Sequence, residues 1–279
     1  MSFAYDAGTS TPNIAGLVEV GPIRINDGTF ELFAAHGLLL ESADVRDAVT
    51  PFPYWHGGFA GAPFYGPLDI SLEGQIKVPA VEDLWGAIDL LKQTFNLADP
   101  SLKTLTVNTA GWSAARQIAV RVSGPVQIES PGSDLDSHWR RRRGFTVPLI
   151  APDPRLYAVT ETSVTVTTGT AVTNVGTMNA PFKVRFNGPL TNPKIDLAGT
   201  TGTDRLQLLT TLTAGHWVEI NTYDPTTGTL TAVDDTGADR YADVSAATAR
   251  ELPVGASSWT ASADSGTGTT VVTLRSAWA

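Results

Sequence analysis

Apolar and polar residues alternate over the eleven positions from Leu68 to Val78, with Leu68, Ile70, Leu72, Ile76 and Val78 in phase and Gly74 as the one gap. A period of two sends successive side chains to opposite faces, so this stretch predicts a strand with one buried and one wet side. Pro79 has no N–H for a ladder and suits the first position of a helix, where that donor lacks an intrahelical partner anyway. From about residue 80 to 95 the period lengthens. Val81, Leu84, Trp85, Ile88 and Leu91 then form one stripe at helical spacing, which predicts a helix packed on a sheet. The other side of that helix carries Glu82, Gly86, Asp89, Leu90 and Gln93. It is polar apart from Leu90, a candidate subunit contact on an otherwise solvated face.

Further strands are predicted at Leu105/Val107, Ile118/Val120/Val122 and Phe145/Val147/Leu149. Short alternating runs continue beyond them at Val164/Val166, Val184/Phe186, Leu206/Leu208 and Val218/Ile220, each bounded by Gly, Pro, Asn or Asp. Threonine separates the two regions: of 36 residues, nine precede Thr160 and 27 lie from there onward. Asp153-Pro154-Arg155 marks the join, because the prolines disfavour helix before them. The expected architecture is mainly β, with two β-sandwich-like domains. Residues 1–158 hold the helix at about 80–95, and residues 159–279 form a second sandwich.

Composition narrows the function. The chain of 279 residues contains no Cys, which excludes disulfides, Cys-ligated zinc and thiol catalysis. A net charge of -9 argues against a surface that wraps nucleic acid, since phosphate binding rests on many Lys and Arg. No apolar run approaches the roughly 20 residues of a membrane span. The start lacks the basic and apolar regions of a signal peptide, so folding in a cytosol is expected.

Candidate chemistry is sparse. Asp234-Asp235-Thr236-Gly237 resembles an aspartic-protease loop, but that mechanism needs two such carboxylates, and a hairpin turn accounts for the string. His36, His56, His138 and His216 show no ligand spacing, and phosphate-cradling and nucleophile-elbow motifs are absent. No catalytic residue, metal ligand or cofactor is expected, and the protein reads as a non-enzyme. Arg140, Arg141, Arg142 and Arg143 form the one dense basic run, placed at the start of a strand. A subunit interface or interdomain ion pairs is the favoured reading, ahead of a solvated edge or a DNA-facing lumen. Trp217 and Trp259 are candidates for stacking on a glycan.

The segment from Gly144 to Tyr157, with its Asp153-Pro154-Arg155-x-Tyr157 exit, resembles the end of the N-terminal domain in phage distal tail proteins and related siphovirus minor tail proteins. The segment from Asn174 to Ile195, with Asn174-x-Gly176-Thr177, Ala180-Pro181 and Gly188-Pro189, is similar to the opening of that family's C-terminal domain. Gly215 to Asn221 and Leu252-Pro-Val-Gly255 are similar to later landmarks. The resemblance implies an N-terminal domain that builds a hexameric ring and a galectin-like or carbohydrate-module-like C-terminal sandwich. Such a ring sits in the virion at the distal end of a long non-contractile tail, is assembled in the host cytoplasm, and joins tail tube to baseplate hub. The implied partners are further copies of the chain, the tail tube protein, the hub or tail-associated protein and the tape measure protein, with DNA only in transit through the lumen and no membrane. The alternative function is a carbohydrate-binding or adhesion module that recognises the host surface.

Overall fold

A computed structural model describes residues 18–20, 23–25, 29–38, 45–46, 49–51, 58–60, 64–109, 112–129, 141–198, 203–224, 228–248 and 251–278. The chain divides into two compact units, Met1–Pro154 and Arg155–Ala279. Both are mainly β, and the single α-helix among the described residues lies in the first. No helix there is long and apolar enough to cross a membrane.

The first unit begins with β1 (Val18–Val20), β2 (Ile23–Ile25) and β3 (Phe30–His36). The short strands β4 (Val45–Arg46), β5 (Val49–Pro51), β6 (Gly58–Ala60) and β7 (Phe64–Tyr65) follow, β4 pairing with β7 and β5 with β6. Then come β8 (Leu68–Lys77), α1 (Asp83–Thr94), β9 (Lys103–Val107), β10 (Arg116–Val122), β11 (Gln127–Ile128) and β12 (Arg142–Ala151). The main antiparallel sheet runs β2-β1-β9-β10-β12-β8-β3, with β11 also on β12. Strict alternation in β8 and β12 puts Leu68, Ile70, Leu72 and Ile76 with Phe145, Val147 and Leu149 on the buried side. The gap at Gly74 has a steric cause. Phe145 lies opposite it in register, and a Cβ there would meet the Phe145 ring at 2.7 Å and the Glu31 carbonyl oxygen at 2.3 Å.

Helix α1 packs on β8 through Leu84, Ile88 and Leu91, and Phe95 just beyond its end continues the buried row. The expected stripe needs correction at two residues. Val81 is 46% exposed and Trp85 70% exposed. The helix starts at Asp83, later than Pro79, and Val81 belongs to the turn before it, where the Asp83 N–H donates to Ala80 and the Leu84 N–H to Val81. Each residue turns the helix by 100°, so Trp85 stands a full step round from Leu84 and beyond the edge of the buried row.

Just after α1, the Asp99 carboxylate accepts from the Ser101 N–H at 3.0 Å and from Lys103 Nζ at 2.8 Å. The Lys103 hydrogen bond, followed by those from Ser101, holds its carboxyl well below the usual carboxylate range. A depressed folded-state pKa contributes stability above the unfolded value of about 3.9, and that contribution is lost as pH falls through and below it. Asp99→Asn is therefore expected to reduce the loss of stability below about pH 4 relative to wild type, measured as urea midpoints across pH 2–6.

In the second unit the strands are β13 (Leu156–Ala158), β14 (Thr162–Val166), β15 (Thr168–Asn174), β16 (Phe182–Asn187), β17 (Leu190–Thr191) and β18 (Lys194–Ala198). They continue as β19 (Thr203–Leu208), β20 (Thr211–Leu212), β21 (Trp217–Asn221), β22 (Thr231–Asp234) and β23 (Val244–Ala247). The last are β24 (Gly255–Ser262), β25 (Ser265–Gly266), β26 (Thr269–Leu274) and β27 (Ala277–Trp278). Two five-stranded antiparallel sheets, β14-β26-β16-β21-β22 and β15-β24-β18-β19-β23, contribute to one core. Phe182, Phe186, Ile195, Leu206, Ile220 and Trp259 are all nearly or fully inaccessible there, as expected for the inner faces of a sandwich. Phe182 and Trp259 meet edge-to-face with centroids 4.9 Å apart.

Candidate functional site

On the first unit, α1 presents the most prominent apolar surface among the described residues. Trp85 and Val81 project beside the buried row, Leu90 is 38% exposed on the other flank, and Leu97 follows the helix at 54%. Glu82, Asp83 and Asp89 surround them and enter no ion pair among the described residues. The sequence pattern places Val81 and Trp85 in the core; the signal that separates them is the late helix start, which periodicity alone does not carry.

The basic run lies beside this helix. Arg141 Nη1 donates to the Pro79 carbonyl oxygen at 3.2 Å, tying the start of β12 to the turn that leads into α1. Arg142 is opposite Lys77 in register, and Arg143 Nη1 donates back to the Arg142 carbonyl oxygen at 2.6 Å. Arg141 is exposed, and Arg142 and Arg143 are half-buried. Arg140, His56 and His138 lie outside the described residues.

The aspartic-protease-like string is a turn. Asp234 Oδ1 accepts from the Thr236 N–H and hydroxyl and from the Ala238 N–H, at 2.7 to 3.0 Å. The Thr236 hydroxyl above all lowers its pKa, as do the two N–H groups and the nearby Arg240, and an acceptor so occupied is poorly placed to act as a base. His216 Nδ1 is 3.0 Å from Asp235 Oδ2, and His36 Nε2 is 3.9 Å from Glu73. Among the described residues no three His, Asp or Glu side chains gather in a metal-binding group.

The motif residues of the second unit converge on its core edge. Asn174, 1% exposed, donates to the Met178 carbonyl oxygen at 2.7 Å and the Leu252 carbonyl oxygen at 3.3 Å, and accepts from the Gly176 N–H at 3.0 Å. Ala180 and Leu252 exchange backbone hydrogen bonds. Arg155 donates to Glu251 at 2.7 Å and lies over the rings of Tyr157 and Tyr223 at 5.7 and 5.4 Å. These residues build the sandwich. Gly176 is fixed by close approach, since a Cβ there would sit 1.8 Å from the Ala277 carbonyl oxygen. Gly176→Ala is expected to cost about 1–3 kcal/mol through forced backbone displacement, read as a lower melting temperature.

The two tryptophans singled out for glycan stacking part company. Trp259 is fully buried, which corrects its assignment as a sugar platform: it alternates in phase with Ser257 on the inner side of β24. Its indole N–H has no acceptor among the described residues. Trp217 takes the opposite phase to the buried Val218 and Ile220, so it stands on the outer side of β21.

No protein-family model and no curated protein matches the chain by sequence. Solved structures do match its fold. The SPP1 Dit (gp 19.1) protein, described as a paradigm of the hub adsorption apparatus in phages that infect Gram-positive hosts, aligns with a TM-score of 0.68 and 13% identity. The match covers 95% of this chain and 99% of that one. The chain shares that fold. Chains of the phage P2 baseplate in its activated conformation, with Ca and with Sr, align at TM-scores of 0.54 and 0.53 and identities of 10% and 8%. Each of those matches covers 92% of this chain and 97% of the other.

Proposed function

We propose that the protein is a non-enzymatic structural component of a phage virion, located at the distal tip of a long non-contractile tail. In this reading the first unit closes into a homo-oligomeric ring of six copies, and the second, galectin-like unit is displayed outside it. The ring joins the tail tube protein to the baseplate hub or tail-associated protein, meets the tape measure protein, and lets DNA pass through its lumen. It assembles in the host cytoplasm. The observation that carries the reading is the fold match to SPP1 Dit, which runs through both units over nearly the whole of both chains. The site residues agree with it. A helix-backed sheet in the first unit and a sandwich in the second, each with a buried apolar core, suit a part whose work is shape.

The subunit contact in this proposal is made by Val81, Trp85 and Leu90 around α1, together with Arg140, Arg141, Arg142 and Arg143 beside its start. A head-to-tail contact of this kind generates a ring whenever the rotation between copies closes. Gold-labelled antibody against the full chain, applied to virions, tests the placement: label at the tail tip supports it, and label confined to heads or the length of the tube overturns it.

A further inference from the structure

We infer that Gly86 is the point on α1 where the backbone of a second copy of this chain makes close contact, in a notch between Trp85 and Leu90. The inference rests on the ring reading above and deepens it, naming how the neighbouring copy is received.

The position follows from helix phase. At 100° per residue Gly86 stands about 200° round from Leu84 and about 160° from Ile88, so it lies opposite the buried row. It is exposed, as are Trp85 beside it and Leu90 one turn on. A Cβ at Gly86 would meet nothing within 4 Å. Elsewhere in the chain glycine has a local reason. Gly74 and Gly176 face atoms that a Cβ would strike, and Gly169 and Gly237 adopt left-handed backbone, with φ of 69° and 82°. Gly86 has helical backbone and open space around it.

Glycine is costly at such a position. Within a helix only proline is less favourable, because glycine gives up the most backbone freedom on folding. Among the described residues nothing in its own unit requires the missing side chain. A bare Cα is useful where another backbone has to come near. Trp85 and Leu90 then stand as ridges on either side of a groove, the arrangement by which helices seat what packs on them. A tryptophan at the rim of a closely packed contact is also a common energetic centre of an interface.

Charge selects the occupant. Glu82, Asp83 and Asp89 border the notch and meet no cation among the described residues. Such a rim repels phosphate, so nucleic acid does not fit. The same chain carries the complement at the start of β12. Arg141 is exposed and donates to the Pro79 carbonyl oxygen, and neither Arg141 nor Arg142 meets a carboxylate among the described residues. Each copy thus offers an acidic notch and a basic strand start, and the backbone around Arg141 and Arg142 of the neighbouring copy is the segment that reaches Gly86.

The test is Gly86→Ala in the full chain. At a concentration where the chain is monomeric, its melting temperature is expected to rise by about 2–4 °C, because alanine suits a helix better and strikes nothing in its own copy. In light scattering against concentration, the same variant is expected to assemble at least about tenfold more weakly than wild type. A gain in fold stability with a loss of assembly is a combination that a merely structural glycine does not give. Wild-type assembly is expected to weaken between about 50 and about 500 mM NaCl, as the acidic and basic faces are screened. The inference is overturned if Gly86→Ala lowers the melting temperature, if it assembles as well as wild type, or if salt leaves assembly unchanged. Undiminished self-assembly with reduced incorporation into virions would assign the notch to a different tail protein and overturn it as well. A wild type that never assembles fails the ring reading itself, and this inference with it.

Discussion

Leu84→Asp is expected to abolish soluble expression of the full chain, whereas Leu90→Asp is expected to leave it folded. Leu84 is 3% exposed and Leu90 38% exposed on the same helix, so the two substitutions present one carboxylate to opposite environments. Truncating a buried leucine costs about 2–5 kcal/mol, and an unpaired buried carboxylate adds several more or must take up a proton. Together these approach or exceed the whole stability of a typical domain, about 5–15 kcal/mol. At Leu90 the charge stays in water and joins a helix already carrying Asp83 and Asp89. Soluble yield and the melting temperature of both variants check the pair. A wild-type melt for Leu84→Asp, or an unfolded Leu90→Asp, would show that α1 packs by a different face.

Trp85→Asp is expected to give a folded chain that no longer assembles. The side chain is 70% exposed, so the monomer should lose no more than about 0.5 kcal/mol. In an oligomer the same indole is the natural anchor of a contact, because tryptophan is over-represented among interface residues worth about 2 kcal/mol or more. Loss of that much weakens each contact roughly 30-fold. Light scattering against protein concentration reads the difference. If wild type assembles and Trp85→Asp assembles equally well, the contact lies elsewhere on the unit. If wild type itself never assembles, the ring fails and not merely this assignment.

Strand phase was the most legible feature of the chain. Alternation from Leu68 to Val78 gave the register face of β8, and Phe145/Val147/Leu149 and Val218/Ile220 gave theirs, since a period of two admits only two answers and burial selects one. The same logic reads Trp217 as outward once Val218 and Ile220 are inward. The logic does not extend to Trp259, whose neighbours in β24 are small and polar and announce no buried side. Helix phase was less legible because a helical stripe is broad. Val81, Leu84, Trp85, Ile88 and Leu91 fit one stripe on paper, yet the start at Asp83 and the continuation to Phe95 centre the buried row on Leu84, Ile88 and Leu91 and leave Trp85 at its edge. Surface function was hardest to read, because an assembly contact has no fixed spacing of reactive groups. Arg141 illustrates this: its contact with the Pro79 carbonyl joins positions 62 residues apart.

Native mass spectrometry of the purified full-length chain bears most directly on the central claim that this protein builds a ring. The account predicts a dominant species of six times the 29.5 kDa chain mass, dissociating to monomer on Trp85→Asp. A wild-type chain that remains monomeric over the accessible concentration range would contradict it.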